Sequence, residues 1–259
     1  MSKSPGRKRR SKLWVVLSDI HSPEEDRSAF EAALDFIDAN DVYGVILLGD
    51  NMDCANVSRH TKSRPGLRKR GGWQYELDYF DENILTPIER RIPPKCKKVF
   101  FMGNHEAWLQ QLLEEMPELE GALSIENSLR LADRDWNVIE QGESYQIGKT
   151  FLIHGDQIGS GMYVAKKLVD SFCATAIMGH VHTGSMFTKV SQVKTRDKWA
   201  AYTLPTLGTV SPRYAKGRPN AFTSGFGIVE EWPNGLTNIY IVMISDGCFA
   251  YGGQLYGKG

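Results

Sequence analysis

Cysteine is scarce in this chain. Cys54, Cys96, Cys173 and Cys248 are far apart, and no two form a C-x-x-C pair. That spacing argues against a structural zinc site and against a disulfide framework, and it fits a reducing compartment. Long apolar runs are missing as well: no segment approaches the ~20 residues of a membrane-spanning helix. The basic start MSKSPGRKRRSK runs into LWVVLSDI, which is too short and too soon broken by Asp19 to be a signal-peptide core. A cytoplasmic protein with no membrane association is the expectation. Net charge is absent, with 31 basic residues against 31 acidic, and histidine is rare, at six residues.

What is present is an ordinary globular composition, 41% hydrophobic and 24% charged, in 259 residues. That length can bury a substantial core in one large domain or two small ones. The charge is unevenly placed. Residues 1–12 hold six basic residues and no acid, and so do residues 59–70, RHTKSRPGLRKR. Without those 12 the body has 19 basic residues against 31 acidic. A basic flexible segment is expected over 1–12, a single domain over 13–251 with a basic insertion at about 55–72, and a loosely held Gly-rich tail, GGQLYGKG, over 252–259.

Short β-branched or aromatic runs at 13–17, 45–48, 99–102, 151–153 and 176–178 read as strands. Between the first two, Ser22 as N-cap, Pro23 and Glu25 in a capping box predict a helix carrying Phe30, Ala33, Leu34 and Ile37. Trp73, Leu77, Phe80 and Ile84 mark another helix, kinked or ended by Pro87. Further helical patterns cover 106–116 and 161–172. Beyond residue 185 the pattern turns to strands at 201–204, 226–231 and 238–245, with no helix between them. An α/β front followed by a β-rich end predicts one layered α/β domain.

Each of the five front strands ends in a polar cluster: SDIH, GDNMD, GNHE, HGD and GHVH. Five of the six histidines lie there, and only His60 falls outside. One such cluster is ordinary turn chemistry. Five in succession are not, because the crevice beyond the carboxyl ends of strands is where α/β sheets bind ligands. Carboxylate, amide and imidazole donors without thiolate suit Mn²⁺, Fe²⁺ or Zn²⁺. The donors exceed the needs of one four-coordinate ion. Two ions ~3.5–4 Å apart sharing a carboxylate would use them all and clamp a phosphoryl displacement.

The ordered series Asp19-Ile-His21, Gly49-Asp50-Asn51-Met52-Asp53, Gly103-Asn104-His105-Glu106, His154 and Gly179-His180-Val181-His182 resembles the calcineurin-like metallophosphoesterase family. The match spans residues 19–182 with no element missing. The resemblance implies a four-layer α/β/β/α sandwich of two mixed β-sheets flanked by helices. It implies one ion held by Asp19, His21, Asp50 and His182. It implies a second held by Asp50, Asn104, His154 and His180, with Asp50 and a hydroxide nucleophile bridging. His105 would stabilise charge on the phosphoryl group or protonate the leaving oxygen, and Asp53 would orient His105.

Three functions remain open at this point. The first is a metal-dependent phosphodiesterase or nuclease acting on nucleic acid or nucleotides, with the basic segment from Arg59 to Arg70 as a positive rim and Trp73 and Tyr75 able to stack on bases. The bland readings are a solvated charge run and, for Trp73, the buried face of the next helix. The second is a phosphomonoesterase on the same site, and the third a non-catalytic scaffold or binding module. The motif that follows Asp53 is Cys54-Ala55-Asn56 rather than Arg-Gly, which counts against the phosphoprotein phosphatase branch. Mn²⁺ is the expected metal, with Fe, Zn or Ni as alternatives. Arg213, Lys216 and Arg218 form a second basic group that could approach substrate, and Cys54 reads as a small buried thiol.

Overall fold

The computed structural model describes residues 11–258 apart from 64, 69–70, 194–196 and 214–216. Residues 1–10 of the basic N-terminal segment, with Arg64, Lys69, Arg70 and Lys216, lie outside the described residues. The first elements are β1 (Lys12–Leu17), α1 (Arg27–Ala39), β2 (Val42–Leu47), α2 (Gly72–Phe80) and α3 (Thr86–Glu89). Then come β3 (Lys97–Phe101), α4 (Ala107–Glu115), α5 (Ile125–Ser128), β4 (Trp136–Ile139), β5 (Tyr145–Ile147) and β6 (Thr150–Ile153). The chain continues through α6 (Val164–Phe172), β7 (Thr175–Met178), β8 (Ser185–Val190) and β9 (Lys198–Thr203). It ends with β10 (Gly225–Glu231), β11 (Thr237–Met243), β12 (Cys248–Tyr251) and β13 (Gln254–Gly257).

The strands form two large mixed sheets. One has the order β11-β10-β1-β2-β3-β4, the other β5-β6-β7-β9-β8, and β12-β13 is a separate hairpin. In the first sheet β1 to β4 run parallel, and β10 lies antiparallel to β1. In the second, β6, β7 and β9 are parallel.

The layering follows from the period-two alternation of side chains. From β1 and β2, Val15, Leu17, Val45 and Leu47 face the helices α1 to α3. Their neighbours Trp14, Val16 and Ile46 face the other way, meeting Leu152 of β6, Ile177 of β7 and Leu204 just after β9. On the far side of the second sheet, Ile153, Ala176 and Met178 pack on Leu168 and Val169 of α6. Helix, sheet, sheet and helix thus enclose three cores, which is the four-layer α/β/β/α sandwich expected.

Three local expectations are corrected. The first helix is capped by Asp26, whose carboxylate accepts from Ser28 and Ala29 N–H, not by Ser22. Ser22 is held elsewhere: its N–H donates to Asn51 O and its carbonyl accepts from Asp53 N–H, bridging it to the second motif. Pro87 does not end its helical run, which continues to Glu89. A π-turn over Asp81–Leu85 precedes it, so the proline enters the first turn of α3, where no N–H is needed. The described part of the tail is not loose: β13 pairs with β12. Tyr256 is buried there between Phe36 and a stacked Phe249.

Candidate active site

The loops after β1, β2, β3, β6 and β7 meet at one end of the sandwich and bring all nine expected site residues together. Asp19 and His21 follow β1; Asp50 and Asp53 follow β2; Asn104 and His105 follow β3. His154 follows β6 directly, and His180 and His182 follow β7. Parallel strands side by side must all end on the same edge, and this is why donors far apart in sequence converge.

The backbone at this edge is unusual. Asp19, His21, Asp50, His180 and His182 all adopt φ between 49° and 65°. Such left-handed conformations in non-glycine residues cost of order 1 kcal/mol each and persist where surrounding bonds enforce them. The bonds are present. His180 N–H donates to both Asp19 carboxylate oxygens (3.0 and 2.9 Å), and Ser18 Oγ donates to one of them. Thr206 Oγ1 and Gly208 N–H both donate to the Asp19 carbonyl (2.6 and 2.8 Å). The loops also press so closely that glycine is required. A Cβ on Gly179 would lie 2.0 Å from Ser18 Oγ, and one on Gly103 would lie 2.3 Å from Asp50 N.

Three donor groups assemble: Asp19, His21 and His182; His21, Asp50 and His105; and Asp50, His154 and His180, each with its donor atoms within 4.8 Å of one another. His21 Nε2 and His182 Nε2 are 3.0 Å apart, and His182 Nε2 is 3.3 Å from Asp19 Oδ1. His154 Nε2 is 3.3 Å from Asp50 Oδ1 and 3.1 Å from Asn104 Oδ1. Its Nδ1 is 2.9 Å from the Leu48 carbonyl, which can only accept. The ring therefore donates from Nδ1 and turns Nε2 into the site, as a metal-ligating histidine does. Among the described residues, the Nδ1 atoms of His180 and His182 are buried without partners. Converging nitrogen and oxygen donors without thiolate fit divalent cations of the Mn, Fe, Zn and Ni type.

The electrostatics of these side chains agree. Burial disfavours charge on Asp50, but the imidazoles of His154 and His105 outweigh it and hold the carboxyl well below its usual range. Burial likewise opposes protonation of His154, yet Asp50 raises that imidazole to about 10. His21 is pushed well below its ordinary value by burial and by the neighbouring His105 and His182. The buried carboxylate of Asp50 thus draws positive charge to itself.

Around His105 the geometry differs from expectation. Its Nδ1 donates to the backbone carbonyl of Asp53 (2.8 Å), while the Asp53 carboxylate stands off at 3.7 Å and is 3.8 Å from His21 Nδ1. Burial raises that carboxyl to about 6, against the pull of His105. The hydrogen bond between Asp53 and His105 is thus made by the main chain of Asp53, not by its carboxylate.

Glu106 ends the third motif, and the resemblance assigns it no role. The residue is buried, and its two oxygens accept from Asp50 N–H (3.0 Å), Met52 N–H (2.9 Å) and Gly103 N–H (2.8 Å). It binds the second and third motif loops into one unit. A carboxylate directly after the motif histidine was the available signal. Cys54 is fully buried, and burial beside Glu106 pushes its thiol well up, which makes it inert.

Above these donors opens a cavity of about 520 Å³. The basic insertion lines it with Ala55, Ser58, His60, Thr61 and Leu67, not with its described arginines and lysine. Lys62 pairs with Glu115 and Arg68 Nε donates to Thr61 Oγ1. Trp73 packs on the core and Tyr75 points to solvent; neither lines the cavity, whereas Trp108 and Phe222 do. Of the second basic group, Arg213 reaches the cavity and Arg218 is exposed.

A sandwich of two mixed sheets with this donor set at its strand ends defines a metallophosphoesterase. The family profile described as calcineurin-like phosphoesterase matches residues 14–199, and the chain belongs to that family. The chain is similar to the Gene 54 protein of Mycobacterium phage L5, 23% identical over 239 residues, which cover 85% of this chain and 89% of that one. Among solved structures, vacuolar protein sorting 29 from Cryptosporidium parvum matches 96% of this chain and 100% of its own at 14% identity and TM-score 0.48. The nuclease MPE of Pseudomonas putida matches 95% and 87% at 14% identity and TM-score 0.36. Among the described residues, no helix is long and apolar enough to cross a membrane.

Proposed function

We propose that the protein is a phosphodiesterase that works with two divalent cations, Mn²⁺ foremost, on nucleotides or nucleic acid. The observation that carries this reading is the sharing of Asp50 between donor groups on either side of it. One ion would be held by Asp19, His21, Asp50 and His182, the other by Asp50, Asn104, His154 and His180. When bound, the pair supplies Lewis acidity to the phosphoryl oxygens and acidifies water for attack.

The chain's own residues do the rest. Asp50 fixes the separation of the two halves of the site, and its position is set by Glu106. The His105 Nδ1–H is committed to the Asp53 carbonyl, so Nε2 faces the cavity to give a proton to the departing ester oxygen. A diester is favoured over a monoester by the lining. Beyond the donor residues it includes Leu67, Trp108, Val181, Pro212 and Phe222, with Arg213 the one described Lys or Arg side chain. Such walls suit organic ester arms better than the second negative charge of a monoester.

The test is hydrolysis of bis(p-nitrophenyl) phosphate against p-nitrophenyl phosphate by metal-stripped protein with Mn²⁺ restored. Mn²⁺-dependent diester cleavage is expected. Preference for the monoester transfers the assignment to a phosphomonoesterase. Silence on both, in protein that takes up no transition metal, leaves the scaffold reading.

A further inference from the structure

The imidazoles of the site belong to a continuous line of rings. His60 meets Trp108 edge-on (5.4 Å between centroids), and Trp108 lies against His105 (3.9 Å, 32° between planes). His105 meets His21 (4.5 Å), His21 meets His182 (4.9 Å), and His182 meets Phe222 (4.5 Å). The middle of the line is the metal and proton-transfer chemistry. Its two ends, Trp108 with His60 and Phe222, have none of that chemistry, and both line the cavity.

Both ends are fixed. Trp108 stands in the first turn of α4, with its N–H on the His105 carbonyl (3.2 Å). Phe222 lies on a strap tied to the last motif: Thr223 N–H donates to His182 O (2.8 Å), and Thr183 Oγ1 donates to Ala221 O (2.7 Å). Asn220 steadies the same strap by accepting from Phe222 N–H and donating to Val210 O. An aromatic face held without freedom is a stacking platform for a flat ring.

Resting on the phosphodiesterase reading, we propose that Trp108 and Phe222 mark two separate subsites, one for each ester arm of the substrate, and that the Phe222 subsite takes the base of a single unpaired nucleotide. Hydrolysis adds the oxygen of water to phosphorus and breaks one P–O ester bond, whose oxygen takes a proton from His105. The departing arm therefore lies on the Trp108 side, because His105 lies against Trp108. The arm that stays on phosphorus extends toward His182 and Phe222. The unpaired nucleotide is either a small nucleotide diester or the end of a single strand. A cavity of about 520 Å³ has the size of sites that enclose one small ligand.

The experiment compares thymidine 5′-(p-nitrophenyl phosphate) with methyl p-nitrophenyl phosphate in the Mn²⁺-loaded full chain. Both lose the same aryl arm and differ only in the arm retained. We expect kcat/KM to favour the thymidine diester by about 10-fold or more, the scale of one base–aromatic stack. Phe222→Leu collapses that ratio toward one, and Phe222→Tyr restores it. Trp108→Leu lowers both rates and keeps the ratio. A wild-type ratio near one, or loss of the ratio in Trp108→Leu but not Phe222→Leu, overturns the assignment. If no diester is cleaved at all, the phosphodiesterase reading has failed on its own, and equilibrium dialysis of thymidylyl-thymidine decides the subsite. Binding weakened by Phe222→Leu and restored by Phe222→Tyr supports it; binding indifferent to both removes it. Oligothymidylate of ten residues as competitor separates the sources, since tighter competition than by the dinucleotide places a strand end in the site, and equal competition places a small diester there.

Discussion

The floor and the walls of the cavity are built differently. The floor consists of strand-end loops whose carboxylates and imidazoles are bonded to one another and to buried N–H groups, with five residues in left-handed conformations. The walls come from Ala55, His60 and Leu67, from Trp108 at the start of α4, and from Pro212 and Phe222, and they present mostly apolar and aromatic surface. The floor is fixed by hydrogen bonds among the motif loops, and the walls join it through main-chain bonds such as Thr223 N–H to His182 O and Trp108 N–H to His105 O, which leave the Trp108 and Phe222 rings out of the bonding. Chemistry and selectivity are therefore separable at the level of side chains: the Trp108 and Phe222 rings can change while the main-chain bonds to His105 and His182 stay.

The largest effect belongs to the centre of the floor. On the two-ion proposal Asp50→Asn weakens the carboxylate that both ions would share, so metal analysis should find both equivalents lost and turnover reduced to background. Retention of one tight, active ion would break the shared-donor reading. His105→Ala should act on the chemistry alone, with both ions retained and kcat lowered ~10²–10⁴-fold. Protein stripped of metal by that change would show His105 to be a ligand, consistent with its place beside His21 and Asp50.

Glu106 lies beneath the floor and should act through stability. Glu106→Ala leaves the N–H groups of Asp50, Met52 and Gly103 without acceptors in a buried place. Each orphaned group costs about 1–3 kcal/mol, so urea unfolding should show a loss of about 3 kcal/mol or more. A smaller loss would mean that the motif loops hold their shape without it.

How much of this was legible in the sequence divides along the same line. The donors of the floor could be read because Asp, Asn and His after short apolar strands are conspicuous when repeated five times. The core alternation of β1, β2, β6 and β7 was legible for the same reason of pattern. The walls were not. Trp108 looks like any helix aromatic, and Phe222 lies in a stretch of turn residues, so only the folded chain shows that they flank the imidazoles. Trp73 and Tyr75 were the nearer candidates in sequence, and packing on the core took the first while solvent took the second. The strands β8, β12 and β13 lacked a clear period-two pattern. Four of the six residues of β8 are exposed at a sheet edge, and the hairpin is held by the aromatic cluster around Phe36.

The entry to α1 gives the smallest effect and the sharpest contrast between pattern and structure. Ser22-Pro23 followed by Glu25 has the form of a helix start, yet the helix begins four residues later at a cap whose bonds are visible (3.1 Å to both Ser28 N and Ala29 N). The Ser22 hydroxyl is buried without a partner, so it caps nothing. Asp26→Ala should therefore cost about 1 kcal/mol in urea unfolding, the usual value of an N-cap carboxylate. Ser22→Ala removes a buried hydroxyl that makes no bond, and should be neutral or slightly stabilising. The reverse order of effects would show that the motif loop, which ties Ser22 to Asn51 and Asp53 through its main chain, depends on that hydroxyl, and would extend the rigid floor one residue further along the chain.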